Sequence, residues 1–146
     1  MAESIDPRAV LNSLHVFSSQ LPIGAFAFSQ ALEAAIESGQ VSDPETLTQW
    51  CRGILLYGLG TLDFVALKQL IRAQTVAEWT RLNADLLASR ETRELRQEDA
   101  LLGQALTRWA SGIGLSLTAV EPVSVVSRYA EIARQWAMPE SVAVLG

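Results

Sequence analysis

One histidine, His15, and one cysteine, Cys51, are the only imidazole and thiol in the chain. Metal binding needs grouped ligands, and no Cys-x-x-Cys, His-x-x-x-His or Glu-x-x-His spacing occurs, which argues against an intrinsic four-ligand site. Cys51 shares a helical face with Leu47, Trp50 and Ile54, so it is expected to be a buried thiol acting as a small hydrophobe. His15, at the polar edge of the first helix, reads as a structural or surface residue rather than a ligand or base.

Phosphate and acyl chemistry fare no better. There is no Gly-x-x-x-x-Gly-Lys-Ser/Thr loop, no Gly-x-Gly-x-x-Gly after a strand and no Gly-x-Ser-x-Gly elbow. Gly58-Leu59-Gly60 imitates a nucleotide loop only in its glycines and reads as a joint between helices. No catalytic residue, cofactor site or metal site is assigned.

Charge is densest over Arg90-Glu91-Thr92-Arg93-Glu94-Leu95-Arg96-Gln97-Glu98-Asp99. Arg90 with Glu94, and Arg96 with Asp99, have the spacing of pairs that solvate an exposed helix face, each contributing only tenths of a kcal/mol. Asp99 is out of step with that role, because it falls between Leu95 and Leu102 on the apolar stripe and there needs a cationic partner. Arg96, or an arginine from another helix or another chain, would serve. Asp63 sits beside Leu62 at the start of a helix, whose positive end would favour it.

The elements that must position these residues are helices. Apolar spacing follows the 3.6-residue period beyond residue 8. The first helix is expected over about Arg8 to Phe17 and the second over about Ala25 to Ser38, closed by Gly39. Asp43-Pro44 supplies the cap and first-turn proline of a third, whose face of Leu47, Trp50, Cys51, Ile54 and Leu55 runs until Gly58–Thr61 ends or loosens it. A fourth carries Leu62, Val65, Ala66, Gln69 and Leu70, and a short fifth carries Trp79, Leu82, Leu86 and Leu87. A long sixth runs from about Glu91 to the glycines at 112 and 114, and a seventh, after Pro122, ends before Pro139. The final Val-Ala-Val-Leu-Gly is left without a finishing element, as though another helix should follow.

The fold class is therefore all-α: a single bundle of about six to seven helices spanning residues 1–146 as one domain. The formal charge of −5 argues against nucleic acid and anionic membranes and suits basic protein partners. A single cysteine and the absence of a signal-type start point to the cytoplasm. Uninterrupted apolar runs fall far short of the roughly 20 residues that span a bilayer, so no membrane segment is expected.

One stretch, Ser19-Gln20-Leu21-Pro22-Ile23-Gly24-Ala25-Phe26-Ala27-Phe28-Ser29-Gln30-Ala31-Leu32-Glu33, breaks an apolar segment with Pro-x-Gly and restarts with two aromatics. With Phe28 at the centre of a buried face, Leu32, Ala35 and Ile36 join it, while Gln30, Glu33 and Glu37 fall opposite, and Phe26 with them. Phe26 then folds back onto Leu21 and Ile23 as a staple, or faces something outside the domain.

Residues Leu21 to Glu33 resemble the Leu-Pro-[Val/Ile]-Gly-[Ala/Gly]-[Phe/Tyr]-x-[Phe/Tyr]-Ser-x-[Gly/Ala]-Leu-Glu signature of the urease accessory protein F family. Asp63 matches a family aspartate, and Ser89 to Arg96 with Gly103 and Leu106 is similar to its Arg-Glu-Thr-Arg-Glu segment. The resemblance implies an all-helical protein without enzymatic activity. It implies a homodimer that joins a scaffold, accessory protein H or D, to the nickel-carrying GTPase, accessory protein G, for delivery of nickel to apo-urease. Control of the GTPase without holding the metal is implied too.

By position, the resemblance makes Pro22, Gly24, Phe26, Ser29 and Glu33 part of a partner-contacting surface. Arg90, Glu91, Arg93, Glu94 and Arg96 become structural or interface charges. The family carries further C-terminal helices and a Gly-Gln-Thr tail, so a C-terminally truncated domain is expected. The alternative is a small helical enzyme or ligand-binding domain with a pocket lined by Trp50, Trp79, Trp109 and Asp99.

Overall fold

The computed structural model describes residues 6–16, 18, 20–25 and 31–145, and among them every regular element is helical. In chain order these are α1 (Pro7–Val16), α2 (Leu32–Glu37), α3 (Pro44–Gly53), a π-helical segment (Ile54–Asp63), α4 (Phe64–Arg72), α5 (Val76–Ala88), α6 (Arg93–Gly112), α7 (Val125–Gln135) and α8 (Glu140–Leu145).

Local chemistry accounts for four of the helix starts. Asp43 accepts the backbone N–H of Thr46 at 2.8 Å, while the Thr46 hydroxyl accepts the N–H of Asp43 at 3.1 Å, a reciprocal capping box with Pro44 in the first turn. Thr75, Thr92 and Ser124 cap α5, α6 and α7 through their hydroxyl oxygens.

The helix called over about Ala25 to Ser38 is shorter among the described residues, where α2 begins only at Leu32, after Ala31 at a left-handed φ of 66°. Gly39 closes it at φ +74°, as expected. Ala35 is buried, but Ile36 is exposed, because a helix of under two turns cannot press a whole stripe onto the body.

At Gly58–Thr61, where the helix was expected to end or loosen, the second outcome holds. The glycines do not end the third helix; the chain continues from Pro44 to Arg72 as one rod that changes winding between Ile54 and Asp63. In the wider turn Phe64 donates its N–H to Leu59 five residues back. Gly60 is where this winding needs a bare backbone, since a β-carbon there would come within 2.8 Å of the Leu55 carbonyl oxygen. Thr61 donates its hydroxyl to the Tyr57 carbonyl at 2.7 Å.

Helix α7 is the hub. One side of it completes a core of Leu67, Leu70, Trp79, Leu82, Leu86, Val123 and Ala130, which joins α4, α5 and α7. The other meets Val16, Leu106 and Ala110, with Leu21, Ile23, Trp109 and Trp136 alongside. Burying each leucine contributes about 1.5–3 kcal/mol. Arg128, also on α7, is 1% exposed; it donates to the Thr118 carbonyl at 3.2 Å, pairs with Glu131 and lies 5.8 Å from the Trp79 ring centre.

Beyond Pro139 the chain forms α8 rather than trailing off, and Ala143 packs with Ala133 and Met138. The rod of residues 44–72 is long and apolar enough to cross a bilayer by length and composition, which counting uninterrupted runs did not show. Its α4 end, however, buries Leu67 and Leu70 in the core instead.

Candidate partner-binding surface

The two expected clusters of contact residues stand differently in the structure. In the first, Pro22 is exposed and Gly24 adopts φ +76°, a left-handed turn that glycine takes without strain. Leu21 and Ile23 reach back into the core beside Val16 and Trp109, which anchors the turn. Glu33 is exposed on the first turn of α2. Phe26 and Ser29, and with them the choice between staple and outward aromatic, lie outside the described residues.

In the second, Glu91, Arg93, Glu94 and Arg96 are exposed at the start of α6. Glu91, Arg93 and Glu94 form no ion pair among the described residues, and Arg96 reaches only the Arg90 carbonyl, at 3.5 Å. Arg90 is unlike them. It turns inward and places its guanidinium between two carboxylates, Nε donating to Asp99 Oδ2 at 2.8 Å and NH1 meeting Asp63 Oδ1 at 2.8 Å.

Neither pair expected from spacing forms: Arg90 leaves Glu94, and Asp99 takes Arg90 rather than Arg96. Burial is the reason. Asp99 is 5% exposed and Asp63 8%, so both need a charge that enters the body, and in this segment the loop residue Arg90 supplies it. Asp63 thus serves as an ion-pair partner at the far end of the π-helical segment instead of at an open helix start.

The cluster extends into α7. Asp99 Oδ1 accepts the Ser124 hydroxyl at 3.0 Å and the Val125 N–H at 2.8 Å, and Asn83 accepts the Ser124 N–H at 2.9 Å. Burial pushes the Asp63 carboxyl above its usual range; Arg90 opposes that shift and Asp99 adds to it. Burial alone would lower the Arg90 value, but Asp99 and Asp63 together raise it. The sequence signal for this cluster was two acids on apolar stripes, with nothing to single out Arg90 among the arginines between them. Asn83 and Ser124 gave no signal.

The α3 face expected to be buried is open. Leu47, Cys51 and Leu55 are exposed and Trp50 and Ile54 only half-buried, with Leu56 and Tyr57 exposed beyond them, Tyr57 at 79%, because among the described residues the rod packs extensively against no second helix at this end. A groove of about 620 Å³ runs past Trp50, Gly53, Ile54 and Tyr57. A separate cleft of about 360 Å³ involves Trp79, Thr118, Glu131 and Arg134. Trp109 stands edge-on to His15 and Trp136. Among the described residues, then, Trp50 and Trp79 line separate hollows and Trp109 stands apart from both, beside His15 and Trp136. No group of three or more His, Cys, Asp or Glu side chains that could hold a metal ion occurs among the described residues.

Comparison with known proteins agrees with the sequence resemblance. The UreF family model matches residues 41–146. The urease accessory protein UreF of Hahella chejuensis is 34% identical over 146 residues, covering 96% of this chain and 66% of its own length. That of Teredinibacter turnerae is 44% identical over 102 residues, covering 68% of this chain and 46% of its own length. A bifunctional urease accessory protein UreEF of Bordetella bronchiseptica is 34% identical over 149 residues, 95% of this chain and 34% of that one. The chain thus spans between a third and two thirds of the length of these relatives.

Proposed function

The chain belongs to the UreF family of urease accessory proteins, and from that premise we propose that it is a non-enzymatic maturation chaperone. It bridges or regulates the nickel-delivering GTPase and the scaffold accessory protein while nickel, the cargo, enters apo-urease. It works in the cytoplasm as one all-helical domain over residues 1–146 and pairs with a second copy of itself. The fused name of the Bordetella relative supports work alongside another accessory protein.

The observation that carries the reading is the division of labour in the charged segment. Arg90 is committed to the interior, while Glu91, just before a 20-residue helix, and Arg93, Glu94 and Arg96 at its start are displayed beyond it. Charges held on a rigid helix end steer and orient a partner more than they bind it. A partner that binds one conformation of the GTPase better than another biases it by that difference in affinity. The turn at Pro22 and Gly24, with Phe26, Ser29 and Glu33, forms the second contact patch.

Capture of purified GTPase and scaffold tests this. An Arg93→Ala/Glu94→Ala/Arg96→Ala variant is expected to lose at least tenfold in capture while keeping its helical circular dichroism. Undiminished capture removes this surface from the interface. If the unmodified chain captures neither protein, the bridging role itself falls.

A further inference from the structure

Among the described residues, α3 and the π-helical segment pack extensively against nothing except each other and, through the segment's far end, α4. Across residues 44–63 one side chain is buried, and it is an aspartate, Asp63. Among the described residues this leucine-rich segment meets the body only at its far end, where Leu62 packs against the core and the Asp63 carboxylate pairs with Arg90. Hydrophobic burial resists any direction of pulling, whereas an ion pair depends on one contact.

That contact is the weaker half of the cluster. Asp99 receives well-directed hydrogen bonds from Arg90, Ser124 and Val125, all of which stay with the body. Asp63 Oδ1 meets Arg90 NH1 at 2.8 Å but has no well-directed hydrogen bond. Two carboxylates also share one guanidinium, so the cluster keeps an excess negative charge, and Asp63 is the member whose departure relieves it. The π winding immediately before it lies where helices tolerate a change of direction.

We infer that residues 44–63 form an arm that opens as its own unit, hinged in the π-helical segment and latched by the Asp63–Arg90 ion pair. The Arg90–Asp99 half stays closed when the arm moves. Because Arg90 directly precedes Glu91, Arg93 and Glu94, the latch also ties the arm to the displayed charges of α6. The inference stands on the geometry alone and does not depend on which partner those charges meet.

Amide hydrogen exchange on the full chain tests it by segment. In the unmodified protein, amides of residues 54–62 are expected to exchange at least tenfold faster than those of α7. Asp63→Ala should raise the arm's rates a further fivefold or more and leave α5, α6 and α7 unchanged. Asp63→Asn, whose amide oxygen still accepts from Arg90, should fall in between. Exchange of arm and α7 in step in the unmodified chain overturns the inference. So does an Asp63→Ala chain whose arm is no faster, or one in which α7 loses protection together with the arm.

Discussion

Gly103 on α6 and Val123 before α7 approach so closely that a β-carbon on the glycine would lie 2.0 Å from the valine carbonyl oxygen. Both partners are backbone or fully buried, since Val123 is 0% exposed, so neither can swing aside. The contact seats α6 against the segment that carries Ser124 and Val125 to Asp99. Gly103→Ala is therefore expected to force the two elements apart and cost about 1–3 kcal/mol or more, as overpacking does. Denaturant unfolding should show the loss as a lower midpoint with an unchanged slope. A variant as stable as the parent would mean that α6 shifts freely at this point.

Ala137 offers a change in the opposite direction. It occupies the left-handed position after α7 at φ 49°, where its N–H bonds to Arg134 and that of Met138 to Ala133, both closing the helix end. An L-residue in this conformation carries a strain of about 1–2 kcal/mol that glycine avoids, offset in part by the greater freedom of glycine when unfolded. Ala137→Gly is expected to stabilise the protein by a few tenths to about 1 kcal/mol. A fall in melting temperature would show that the alanine methyl contributes more than the strain removes.

Much of the helical architecture was legible because its signals are local. Asp43-Pro44, Gly39 and the tryptophan-leucine stripe of α5 each lie within a turn or two of what they specify, and each was read correctly. Burial was not legible in the same way. Leu47, Ile54 and Leu55 have the spacing of a core face, but spacing states only which residues share a side, not whether anything lies opposite. At Gly58–Thr61 the sequence left ending and loosening open, because glycine has two meanings, a break or a close approach, and Gly60 has the second. In the charged segment, Arg90 had a partner of the expected spacing at Glu94 and took distant ones, since desolvated carboxylates outbid an exposed one.

The same cluster has a definite acid response. Burial holds the folded-state Asp63 carboxyl above its ordinary value, so the charged form is the one that folding penalises. Its contribution to stability is fully present below the ordinary carboxylate value of 3.8 and is lost as pH rises through the folded-state value. Asp63→Asn abolishes this term. Relative to the parent, the variant should gain stability as pH is raised from below 3.8 and then level off. Urea midpoints of both proteins across that range provide the check, and a difference that shrinks with rising pH would contradict the burial argument.

Cys51 reports on what happens to the exposed face of the rod. It is the only thiol in the sequence, and it is exposed beside Trp50 and Leu47. A thiol in that setting should react with an aromatic disulfide reagent in the folded protein, with one equivalent consumed and no denaturant required. If two copies pair through Leu47, Leu55 and Tyr57, the rate should fall as protein concentration rises, because pairing removes the sulfur from water along with the leucines. Sedimentation across the same concentrations gives the state of association independently. A dimer whose Cys51 reacts as fast as the monomer's would place the interface on another face and leave these side chains free for a different protein.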